Sequence, residues 1–139
     1  MTEYTVDLQK LFLEMMLADA QAYVRVQNIY NIKNFDRSLQ DAATFIQEHT
    51  ANHNTLPTLD QVNAISKTKL KSVEDLNESH YDWFLGEFEK FTQRQELERA
   101  ILKSADLLEK GEYAPVEKLI KDAVQISLTK DLGTDYWDD

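Results

Sequence analysis

Asn77–Lys110 reads NESHYDWFLGEFEKFTQRQELERAILKSADLLEK and decides the fold. It contains no proline, and Gly86 is its sole glycine. Nothing therefore interrupts a helix of about 50 Å at 1.5 Å per residue. Opposite charges at Glu87/Lys90, Arg94/Glu98, Glu96/Arg99 and Asp106/Lys110 stand three or four residues apart and support it locally. Gly111 is placed to end the helix, because glycine tolerates the left-handed conformation just past a helix terminus. Pro115 then opens a last helix reaching about Leu128. With so short a connection, the two helices are expected to fold back as an antiparallel hairpin.

The long helix changes face along its length. Phe84, Phe88 and Phe91 form one stripe, read together with Trp83 as core, and Thr92 to Glu96 is wholly polar. The stripe resumes out of phase as Leu97, Ile101, Ala105 and Leu108. One helix then serves two environments, which divides the chain into three parts. Residues 1–96 form a helical head that includes the first half of the long helix, 97–128 the hairpin, and 129–139 an acidic linker or tail.

Upstream, Leu8, Leu11, Phe12, Met15 and Met16 recur at helical spacing over Asp7–Leu17. A short helix over Asp19–Gln27 follows, holding Ala22, Tyr23 and Val26. The Asn-rich run Asn28–Asn34 breaks the period and reads as a loop. Asp36 caps a third helix to about His53, with Leu39, Ala42, Ala43, Phe45 and Ile46 on its apolar face. Pro57 forces a restart, and Thr58 caps a short helix through Leu59, Val62 and Ile65. Lys67 to Val73 is a basic connector. The head core expected from this pattern is Leu11, Phe12, Phe45, Ile46, Phe84 and Phe88.

Composition agrees with an all-α protein. The 139 residues include 42% hydrophobic side chains, 3 glycines, 2 prolines and no cysteine. So few turn formers argue against a β-sandwich or barrel, and the lack of cysteine removes disulfides, thiolate zinc sites and thiol nucleophiles. No apolar run approaches the roughly 18 residues of a membrane span, and Met1-Thr2-Glu3-Tyr4 lacks the basic start of a signal peptide. A cytoplasmic protein with no membrane partner is expected. The net charge of −10 is uneven: residues 1–70 carry 8 acids and 6 bases, and 71–139 carry 17 acids and 9 bases. Phosphate backbones are bound by clustered Lys and Arg, so direct nucleic-acid binding is not expected. Solubility accounts for the charge more simply than mimicry of a nucleic acid does.

The hairpin carries more apolar surface than two helices can bury between them. Leu97, Ile101, Leu102, Leu107 and Leu108 line the first helix, and Val116, Leu119, Ile120, Ala123, Val124 and Ile126 wrap round the second. These eleven residues are the candidate subunit interface, since large exposed apolar patches mark such contacts. The competing explanation is a head that folds back over them. Tyr136 and Trp137, in an acidic tail without helical period, are candidates for docking on a partner.

No catalytic, cofactor-binding or metal-binding residue is assigned. The glycines stand alone at 86, 111 and 133, so neither G-x-x-x-x-G-K-[ST] nor G-x-G-x-x-G exists, and a G-x-S-x-G elbow is equally absent. His49 and His53 stand four apart, a spacing able to chelate a metal. The zincin motif needs Glu directly after the first His, however, and Thr50 stands there. Two histidines in the last turn of a helix are also favourable against its dipole.

The order of these segments resembles the N-terminal domain of DnaB-type replicative DNA helicases, in particular the phage branch. The opening helix ends in a leucine-rich run and an acid at Leu13-Glu14-Met15-Met16-Leu17-Ala18-Asp19. Tyr23-Val24-Arg25-Val26, Asn34-Phe35-Asp36, Leu56-Pro57-Thr58 and Val62 follow in the family's order. Trp83, Glu87 and the polar break Gln93-Arg94-Gln95 match the long helix of phage members. Asp122–Leu128 and Gly133–Trp137 look like the approach to the interdomain linker. The resemblance spans about residues 8–138 and lies in order and spacing, since no single motif is specific. It implies an all-α head with a helical hairpin that pairs subunits into a collar above a hexameric motor, where primase and sometimes a loader dock. The RecA-like ATPase motor has no counterpart in this sequence, so no ATPase or unwinding residue carries over. The alternative is a stand-alone phage protein that copies the collar and binds a host replication protein.

Overall fold

The computed structural model describes residues 4–126. Among them the chain is all-α, with α1 Val6–Ala18, α2 Ala20–Val26, a 3-10 turn Ile32–Asn34, α3 Arg37–His53, α4 Leu59–Ser66, α5 Glu78–Glu109 and α6 Ala114–Val124. Polar side chains set most of the starts. Thr5 accepts from the Leu8 N–H, Asp19 from Gln21 and Asp36 from Ser38, each satisfying an orphan donor of a first turn. Thr58/Gln61 and Asn77/His80 form reciprocal capping boxes on α4 and α5.

Phe12 of α1, fully buried, organises the head core. Its ring lies 5.9, 5.5 and 5.4 Å from those of Phe84, Phe88 and Phe91 on α5. Phe35 meets Phe91 at 5.5 Å, and Tyr30 meets Phe35 at 5.7 Å, which extends the cluster under α3. The Tyr30 hydroxyl donates to the Ala43 carbonyl at 2.7 Å, and burial pushes its phenol well above the ordinary value, with a smaller push from Tyr23. Of the core expected from sequence, Phe12, Ile46, Phe84 and Phe88 are buried, while Leu11 and Phe45 pack half-buried at its edge. Trp83 departs from the expectation. It contacts Phe12 at 6.3 Å but stays 43% exposed, because it stands one position off the Phe84/Phe88/Phe91 face.

The basic connector is held in place. Asn63 accepts from the Leu70 N–H at 2.9 Å and donates to the Leu70 carbonyl at 3.0 Å, as a strand partner would, and Glu14 accepts from the Lys71 N–H at 2.7 Å. Leu70 is thereby buried in the head. Helix α5 then runs unbroken through the head and out into the hairpin, so the division drawn at residue 96 falls inside one helix.

Candidate interaction surface

Helix α5 ends as its sequence requires. Gly111, at φ 78°, donates to the Leu108 carbonyl at 3.0 Å, and Glu112 donates to Leu107 at 2.9 Å. These two bonds form a Schellman cap with glycine at the left-handed position. Pro115 sits in the first turn of α6, where its missing N–H costs nothing. The cap turns the chain back, and α6 packs along α5.

The buried face of α5 in the hairpin is not the Leu97, Ile101, Ala105 and Leu108 stripe. In the hairpin half of α5, Ala100, Ser104 and Leu107 are buried, as is Ala123 of α6. Ile101, Ala105 and Leu108 are exposed instead, and Leu97 is half-buried. Ala100 and Ser104 are small side chains, which suits a closely packed helix face.

The consequence is an outward apolar row. Ile101 is 53% exposed, Leu102 67%, Leu108 51% and Val124 55%. Leu97, Ile101 and Leu102, with the stems of Arg94 and Glu98, line a shallow groove of about 360 Å³ on this face. Val116, Leu119 and Ile120 are half-buried, and Ile126 packs against the head core just beyond the end of α6, which stops at Val124 rather than Leu128. The eleven candidate residues thus divide between the hairpin's own seam, its flanks and this open row. Tyr136 and Trp137 lie outside the described residues.

The polar stretch Thr92–Glu96 forms the joint between head and hairpin. Gln95 donates to the Asn34 carbonyl at 2.7 Å, and the Arg99 guanidinium donates to the Asn34 Oδ1. Asn31 donates to Glu96 at 2.9 Å, and Glu96 pairs with Arg99 at 2.8 Å. Gln93 reaches across to the Ile126 carbonyl at 2.6 Å. A cavity of about 430 Å³ opens at this joint between the Asn28–Asn31 loop, α5 and α6. The sequence reads Asn28–Asn34 as a loop and Thr92–Glu96 as a polar break in the long helix, and does not pair them. The available signal was that the asparagines of Asn28–Asn34 and the polar break Thr92–Glu96 both interrupt apolar periodicity.

Among the described residues no group of three or more His, Asp or Glu side chains gathers to hold a metal, and no helix is long and apolar enough to cross a membrane. What fold and surface define together is an all-α protein with an aromatic-cored head and a helical hairpin bearing an open apolar row. No protein-family model, curated protein or solved structure matches the chain.

Proposed function

We propose that the chain is a non-catalytic N-terminal assembly domain of a DnaB-type replicative DNA helicase, serving self-association and the docking of primase or a helicase loader. One observation carries this: four large aliphatic side chains, Ile101, Leu102, Leu108 and Val124, stand at least half exposed on one hairpin. Leaving such surface in water forfeits roughly 25 cal/mol per Å². A second hairpin offering the same row recovers much of it in a four-helix arrangement. The family comes from the order and spacing of segments between residues 8 and 138.

Sedimentation equilibrium of the chain, alone and with primase from the same replication system, tests this. Dimers or larger species together with a stoichiometric primase complex support the assignment. A strictly monomeric chain that leaves primase unshifted overturns it. The reading frame distinguishes the collar-mimicking protein from the helicase domain. Continuation past Asp139 into a phosphate-binding loop supports the helicase, and a stop codon supports a stand-alone protein acting on a host replication factor.

A further inference from the structure

The chain has three histidines, and the structure gives them different tasks. His80 is engaged locally, its Nδ1 accepting the Asn77 N–H at 3.0 Å in the α5 capping box. His49 and His53 share one face of α3, one turn apart, with ring centres 4.5 Å apart and planes inclined at 44°. Phe45 lies one turn before them, its ring 5.5 Å from that of His49.

We propose that His49 and His53 form a two-imidazole chelate for a divalent transition cation of the Zn²⁺ or Cu²⁺ type. Imidazole nitrogens bind zinc at about 2.0–2.1 Å, so two of them on a tetrahedral ion stand about 3.3 Å apart. Rings centred 4.5 Å apart reach that separation by turning their edges toward a common point. Phe45, packed against His49, limits the rotations that imidazole loses on binding. The site also lies where a helix favours a cation. His53 is the last residue of α3, and the carbonyls of that turn carry the negative end of the dipole. No third His, Asp or Glu joins the pair among the described residues, so water or a partner's donor completes the coordination. Two imidazoles without a carboxylate cage favour Zn²⁺, Cu²⁺ or Ni²⁺ over Mg²⁺ and Ca²⁺.

Binding would clamp the last turn of α3, His49 to His53, just before the chain bends toward α4. That turn now ends on a left-handed Asn54 whose N–H donates to the Thr50 carbonyl at 2.9 Å. The experiment is calorimetric titration of ZnCl₂ and CuCl₂ into the full chain, carried without a polyhistidine tag. One ion per chain is expected, with affinity weakened at least roughly tenfold in His49→Ala and in His53→Ala and unchanged in His80→Ala. Zinc should also slow amide hydrogen exchange over residues 50–54, an effect lost in both weakened variants. Absence of binding by either metal overturns the proposal, as does undiminished binding in the double variant His49→Ala/His53→Ala. Equal affinity for MgCl₂ likewise overturns it.

Discussion

Replacing Leu102 with Asp separates self-association from folding. Leu102 is 67% exposed in the single chain, so a carboxylate there stays hydrated and costs the monomer no more than about 0.5 kcal/mol. Complete burial of a leucine is worth about 1.5–3 kcal/mol. Two-thirds of that remains to be gained when a second copy covers the site, or about 1–2 kcal/mol. A twofold interface uses the same patch on both subunits, so the pair loses about 2–4 kcal/mol even before the carboxylate's desolvation is counted. Dimerisation should therefore weaken at least about 30-fold. Sedimentation equilibrium across the micromolar range reads this directly, and far-UV circular dichroism should be unchanged. Ile120→Asp is a poorer probe, because Ile120 is already half-buried within its own hairpin. A Leu102→Asp variant that dimerises as strongly as the parent refutes the outer-row interface, and a parent that stays monomeric at high micromolar concentration refutes pairing altogether.

Other perturbations test the head and the joint. An added Cβ at Gly86 meets no atom within 4 Å, so Gly86→Ala should stabilise α5 by about 0.5–1 kcal/mol, seen as a higher urea midpoint at constant slope. Arg99→Ala leaves the buried Asn34 Oδ1 without its guanidinium donor and should cost about 1–3 kcal/mol, with hydrogen exchange rising first over residues 28–35. Tyr30→Phe loses the bond to the Ala43 carbonyl, a cost of about 1 kcal/mol at neutral pH. The folded phenol titrates above its unfolded value of 10.0, so its neutral form contributes stability that is complete below pH 10 and lost as pH rises beyond it. Urea midpoints at pH 8 and 10.5 should thus fall further in the parent than in Tyr30→Phe. With a net charge of −10, the chain should leave the anisotropy of labelled single- and double-stranded DNA unchanged at physiological salt; a salt-sensitive micromolar complex would refute this.

Local chemistry carried most of the architecture. Asp36, Thr58, Asn77, Gly111 and Pro115 act where their side chains or backbone freedom dictate, and the expected limits of α5 coincide with its caps, Asn77 and Lys110. These positions were legible because capping depends on a few neighbouring residues. Three features depended on the partner surface and were not legible. Ala100 and Ser104 are buried although small or polar, which no hydrophobicity scale rewards. Trp83 sits at the rim although its size argues for the core. Asn34, in a run expected to be loop, is buried because Gln95 and Arg99, more than sixty residues away in sequence, supply its hydrogen bonds. The exposed aliphatic residues Ile101, Leu102, Leu108 and Val124 could all be read as surplus apolar surface of the hairpin.

Because α5 passes through the joint without a break, it acts as a shaft keyed at both ends. Phe84, Phe88 and Phe91 fix its rotation in the head, and Ala100, Ser104 and Leu107 are its buried seam in the hairpin half. One residue inserted between Arg99 and Ala100 would turn that seam by about 100° and advance it by about 1.5 Å, swinging the exposed aliphatic side chains round with it. Seven inserted residues would restore the phase to within about 20° while lengthening the arm by about 10 Å. The hairpin's reach is therefore adjustable only in whole steps, and its heading is inherited from aromatic rings packed in the head.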